Sequence, residues 1–184
     1  IIINNGREKG DYMEDKFIIF TGTICSTYLN RMRDYALRDL ENETKKGKTN
    51  FLKFSKMVEK IFKENKIEYL NFSYGEIKEI VEKNKIIFSL PFSGSGELLK
   101  VSPDSIEGIK LPVMRKEENI IFSLKETEFK NEHEIKEELI NHLTKINEIC
   151  SFLKKEIESY NRDLADMLKE KSIELYEKIS FKSW

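Results

Sequence analysis

Cys25 and Arg31 have the Cys-x5-Arg spacing of phosphatase phosphate loops. In such a loop, backbone amides at a helix N-terminus hold the phosphate while a thiolate attacks. The pair follows an apolar run, Phe17–Phe20, and opens a helical pattern. No histidine precedes Cys25, however, and no glycine separates it from Arg31; Tyr28 and Leu29 fit an apolar stripe instead. We therefore expect a half-buried structural cysteine, with a Cys25-dependent phosphatase as the minor alternative. His133-Glu134-Ile135-Lys136-Glu137 is HExxE, not the HExxH that sets two imidazoles on one helix face. His142 lies nine residues on, nearly on the opposite side, and no Cys–His cluster completes a site. No metal, cofactor or catalytic residue is expected.

Ser93-Gly94-Ser95-Gly96 could form an anion-binding nest. A phosphate loop should run into a helix and carry Lys-Ser/Thr, whereas this one leads into the strand pattern Glu97-Leu98-Leu99-Lys100. A tight connection is expected. Asp104, Glu107 and Lys110 faintly echo a nuclease pattern, but the spacing is too compressed for two strands. No small-molecule substrate is evident.

Residues 45–66 contain eight Lys and two Glu on a chain of net charge −1. Lys53, Lys56, Lys60 and Lys63 share one helical face, and Phe51, Phe54, Val58, Ile61 and Phe62 occupy another. A basic amphipathic helix can meet nucleic acid, acidic membrane or an acidic partner. A solvated lysine face opposite a core face has the same pattern and is the expected reading.

The elements that must position these residues follow from periodicity. Ile24, Tyr28, Met32, Tyr35/Ala36 and Leu40 recur at helical spacing, with Gly47 as a stop signal. Thr49 or Asn50 can cap the lysine-rich helix. Ile67–Phe72 reads as extended, and Ser73–Glu76 has capping-box spacing before a short helix with Ile77, Ile80 and Val81. Ile86–Phe92 and Ile120–Leu124 alternate with period two and share the pentapeptide Ile-Ile-Phe-Ser-Leu; we read two strands of one sheet. Glu97–Val101 and Ile109–Val113 are further short strand candidates, with Pro112 suited to an edge. From Glu134 to Ile179 one apolar stripe keeps helical phase without Gly or Pro. A continuous helix there would be about 68 Å long, too long for one small domain to cover. A break at Asn161-Arg162-Asp163 would give a helical hairpin; the stripe keeps phase, so continuity is favoured.

The stretch Phe88–Leu99, then Ser102-Pro103-Asp104-Ser105, and the run Ile149–Leu153 with Glu156–Asn161 and Leu164 resemble a bacterial protein family of no established activity. That group carries an apolar strand, a Pro-aromatic-x-Gly turn, a Leu-rich strand, a Pro-Ser turn, and a long helix with an aromatic-Asn pair. The resemblance spans roughly residues 55–179 and implies architecture and bacterial origin, without a mechanism. Ser95 replaces the Asp usual after the turn glycine, and the Ile77–Ile86 segment is shorter. Such modules often precede another domain, which leaves room for one after Trp184.

The chain has 184 residues, 39 % hydrophobic and 35 % charged. Its 32 basic and 33 acidic residues exclude a whole-chain polycation or polyanion. Two cysteines make no disulfide framework, so a reducing cytoplasm fits. Lys9-Gly10-Asp11-Tyr12-Met13 can be encoded by a purine-rich ribosome-binding sequence before a start codon, so residues 1–12 are expected to be translated upstream DNA. The expected fold is α+β: an N-terminal helical region (13–84), a small mostly antiparallel sheet (85–130) and a long C-terminal helix (131–184). The expected function is a non-catalytic scaffold or oligomerisation module. Leu139, Ile146, Leu153, Tyr160 and Met167, at seven-residue spacing, would contact a second copy or a partner helix.

Overall fold

The computed structural model describes residues 16–46 and 51–181, the side chains of 51 and 179–181 excepted. The readings at residues 1–12, Gly47, Thr49 and Asn50 lie outside the described residues. The architecture is α+β. Short strands β1 (Lys16–Ile18) and β2 (Thr23–Ile24) lead into helices α1 (Cys25–Lys45) and α2 (Phe51–Asn65). Strands β3 (Asn71–Phe72), β4 (Lys78–Glu82), β5 (Lys85–Ser93), β6 (Val101–Ser102), β7 (Pro112–Lys116) and β8 (Asn119–Lys125) follow, then helix α3 (Glu132–Phe181).

The main sheet runs β1-β7-β8-β5, and β3 and β4 share the outer edge of β5. Every pairing in it is antiparallel; a separate parallel pair joins β2 to β6. The two Ile-Ile-Phe-Ser-Leu strands are direct neighbours, with Phe88 opposite Phe122. Alternation sends Ile86, Phe88, Leu90 and Phe92 of β5, and Ile120, Phe122 and Leu124 of β8, into the core. The other face carries half-buried Ile87, Met114 and Ile121.

Three expectations are corrected. The segment after Ser73–Glu76 is strand β4, not a helix. Lys83-Asn84 forms a two-residue connection that pairs Glu82 with Lys85, and Asn suits such a turn. Ile80 and Val81 satisfy strand and helix patterns alike, so the turn decides. Glu97–Val101 is mainly a 3-10 turn over Gly96–Lys100, with Leu98 and Leu99 fully buried. Pro112 begins β7, which lies inside the sheet between β1 and β8, so the proline sits at a strand start and not on an edge strand.

Helix α3 is continuous through Asn161 and, at 50 residues, spans about 75 Å. It is covered in two stages. Its first half lies over the core face of the sheet, where His142 meets Phe122 edge-on at 6.4 Å. Its second half packs beside α1 and α2, with Tyr176 against Phe54 at 5.4 Å. Ile146, Ile149, Leu153, Ile157, Tyr160, Leu164 and Leu168 are each at most 2 % exposed. The expectation that this stripe needs an outside partner is thus overturned along its middle. Two different layers of the same chain suffice, because α1 and α2 run alongside the half that the sheet does not reach. Among the described residues, no helix is long and apolar enough to cross a membrane.

Candidate functional site

Of the five residues expected to form a helix interface, Ile146, Leu153 and Tyr160 are buried in the chain's own core. Leu139 and Met167 are half-buried against the same core. These positions pack within the chain's own core and do not form an outward-facing seam. Lys53, Lys56, Lys60 and Lys63 are all exposed as expected. Three of them, Lys53, Lys56 and Lys60, line a groove shared with Asp39 and Glu43 of α1 and with Glu64. Lys60 pairs with Glu64 at 3.6 Å. Acidic side chains from the neighbouring helix therefore interrupt the positive face.

Cys25 is fully buried at the start of α1, whereas Arg31 is exposed. The two do not converge. Burial, then the hydrogen bond to Glu156, then the charges of Glu156 and Asp104 all push the thiol pKa up. That opposes the thiolate a phosphatase needs. The helix N-terminus is also occupied: the Ser26 N–H donates to Asp104 Oδ1 at 2.9 Å. Ile24 supplies no side-chain cap, so the Asp104 carboxylate, brought from a loop 78 residues away, takes the place a phosphate would fill. Glu107 and Lys110 are exposed and take no part.

His133 is exposed and pairs with Glu137 at 3.4 Å. His142 is largely covered beside Glu138. Among the described residues, no group of three or more His, Cys, Asp or Glu side chains is placed to hold a metal. The Ser93–Gly96 loop is a tight connection: Gly94 has φ +95°, and a Cβ there would lie 1.8 Å from the Tyr69 carbonyl. Its Ser95 is tied to Glu68, accepting from the Glu68 N–H at 3.2 Å and donating its own N–H to the Glu68 carbonyl at 3.3 Å.

Two features were not foreseen from the sequence. The first is the outer edge of β4, whose five residues are all exposed, with Ile80 at 56 % and Val81 at 64 %. Ile80 stands opposite Ile87, on the sheet face that α3 does not cover. Val81 stands opposite Ile86, on the core side. Among the described residues, no strand pairs with the far edge of β4. The second is a polar cleft of about 260 Å³ between α1 and α3, with Asp104 among its lining residues. The Asp104 N–H donates to Glu156 Oε1 at 3.3 Å, joining the loop to α3. Asn161, beside the cleft residue Tyr160, anchors the chain in a different way. Its amide accepts from the Ile67 N–H at 3.0 Å and donates to the Ile67 carbonyl at 2.9 Å. The Tyr-Asn pair thus serves two layers: Tyr160 fills the core and Asn161 clamps the segment after α2.

Comparison with protein-family models, with curated proteins and with solved structures finds no match.

Proposed function

We propose that the chain is a non-catalytic assembly module that associates with a second copy of itself through the β4 edge. The observation that carries this reading is the order of side chains along that edge. An exposed edge strand is normally blunted by charge, proline or a covering element. Here the order Lys78-Glu79-Ile80-Val81-Glu82 complements itself when paired antiparallel about a two-fold axis at Ile80. Lys78 then faces Glu82 of the partner subunit, and the converse pair repeats the match. The two Ile80 side chains meet at the centre, and the open backbone edges exchange hydrogen bonds. The charges that would repel a foreign strand thereby select a copy of the same strand.

Oligomerisation remains the function expected from the sequence, but its surface moves from the α3 stripe to the β4 edge. Two free thiols, one buried and one half-buried, fit a reducing compartment, and we place the protein in the cytoplasm on that ground. Multi-angle light scattering from roughly 1 µM to 1 mM should show mass rising from monomer toward dimer. Ile80→Lys should hold the mass at monomer with an unchanged circular dichroism spectrum. A monomeric wild-type chain across the whole range would reject the proposal.

A further inference from the structure

The sheet face turned away from α3 has a composition unlike that of an ordinary solvated face. An antiparallel sheet packed on one side normally sends polar side chains out on the other. Here the pairing register sets an apolar row across the strands. Ile80 of β4 lies beside Ile87 of β5, and Ile87 beside Ser123 of β8. Ser123 and Pro112 line one groove, and Pro112 pairs with Ile18 of β1. Ile121 and Met114 pair directly in the next row and widen the patch. Ile80 is 56 % exposed at one edge of the sheet and Ile18 45 % at the other. An apolar patch with a polar rim marks an interaction surface.

The rim is basic. Lys16, Lys78, Lys85, Lys116 and Lys125 occupy strand positions on this face, and all are exposed. Lys16 and Lys78 lie at its two outer strands, β1 and β4. Lys85 and Lys125 pair on one side of the apolar row, and Lys116 pairs with Asn119 on the other. Among the described strand positions of this face the carboxylate is Glu82, 3.0 Å from Lys85. Lys125 also meets a carboxylate, Glu128, at 3.0 Å, just past the strand end. This side is positive on a chain whose net charge is −1.

We propose that this face docks on an anionic phospholipid bilayer, with Ile18 and Ile80 reaching the acyl boundary and the lysines meeting headgroup phosphates. Charge complementarity selects that occupant. Aliphatic side chains ringed by lysine match an anionic interface, and lysine stems lie along apolar surface while the ammonium stays wet. The groove in the face, about 260 Å³, falls below the usual range for an enclosed small ligand, so its occupant covers the surface from outside. The patch offers no aromatic ring on which a base could stack. Docking of this kind needs no membrane-spanning helix, and it does not depend on pairing through β4.

Vesicle co-sedimentation tests the proposal. The chain should bind phosphatidylcholine vesicles containing about a quarter phosphatidylglycerol at low salt, and leave them at about 0.5 M salt. Pure phosphatidylcholine should retain little of it. The triple variant Lys16→Gln, Lys116→Gln, Lys125→Gln should bind about 100-fold more weakly, at about 1 kcal/mol per lysine. Ile18→Ser should weaken binding by about tenfold through lost apolar burial. These positions lie away from β4, so light-scattering mass should match the wild type, and failure here is distinct from failure of self-pairing. Circular dichroism establishes that the variants are folded; should Ile18→Ser not fold, the lysine variant decides alone. Lys56→Gln, Lys60→Gln, Lys63→Gln on α2 should leave vesicle binding unchanged. No binding to the anionic vesicles at low salt, binding indifferent to the sheet-face triple variant, or binding lost only in the α2 variant would overturn the proposal. Capture by poly-L-glutamate without capture by vesicles would also overturn it, assigning the face to an acidic protein.

Discussion

Phe88 and Phe122 stand directly opposite each other across β5 and β8, their rings stacked with centroids 5.4 Å apart. Each is the third residue of the pentapeptide Ile-Ile-Phe-Ser-Leu. Antiparallel pairing about this centre matches Ile86 with Leu124 and Leu90 with Ile120 on the core face, and Ile87 with Ser123 on the other. Identical short strands thus pair as a local two-fold. Replacing either ring with alanine should cost about 3–5 kcal/mol in urea unfolding. The double variant should reveal a coupling of about 1 kcal/mol beyond additivity. Strict additivity would mean that the rings merely occupy volume.

Asn161 should matter more to stability than its half-buried polar side chain suggests. Asn161→Ala removes both hydrogen bonds to the Ile67 backbone and leaves that N–H and carbonyl without these partners. The expected loss is about 2 kcal/mol. Asn161→Asp keeps the acceptor for the Ile67 N–H but opposes the Ile67 carbonyl, so it should not restore stability. Hydrogen exchange at the Ile67 amide reports the clamp separately from global unfolding.

Much of the architecture was legible in the sequence for physical reasons. The period-two strands β5 and β8 and the long helix announce themselves through buried faces that repeat over many residues. The β4 hairpin was not legible, because Ile77, Ile80 and Val81 fit helical spacing and only the Lys83-Asn84 turn breaks the tie. The fate of the α3 stripe was hidden too. Periodicity reveals that Leu153 and Tyr160 must be covered, but not whether α1, α2 or another chain covers them. The cleft was invisible because Arg33, Asp104 and Glu156 are far apart in sequence and carry no spacing signature. Cys25, Asp104 and Tyr160 each drew attention in the sequence, but for separate reasons that do not bring them together.

Leu153 separates core from interface. At 1 % exposure it lies among the chain's own helices and sheet, so Leu153→Ala should destabilise by about 2–5 kcal/mol. Under native conditions its sedimentation mass should match the wild type. A lower mass with stability intact would return the stripe to the surface.

His142 sets a pH dependence of known sign. Burial lowers its pKa from the ordinary value of 6.5, only partly opposed by Glu138. The unfolded chain therefore takes up the proton first as pH falls. The stabilisation is complete above about 6.5 and is lost as pH drops toward the folded-state value. Urea titrations from pH 7.5 to 5 should show this decline, and His142→Gln should flatten the part that belongs to the imidazole. An unchanged pH slope in the variant would assign the decline to other groups.

The central claim concerns charge order along β4, and a charge exchange tests it most directly. Sedimentation equilibrium on Lys78→Glu, Glu82→Lys and the double variant separates specific pairing from general surface effects. Each single change sets like charges against each other across the two-fold and should shift the chain to monomer. The double change reverses both charges and should restore the dimer to near wild-type affinity. A double variant as monomeric as the singles, or singles that dimerise like the wild type, would contradict self-pairing through this edge.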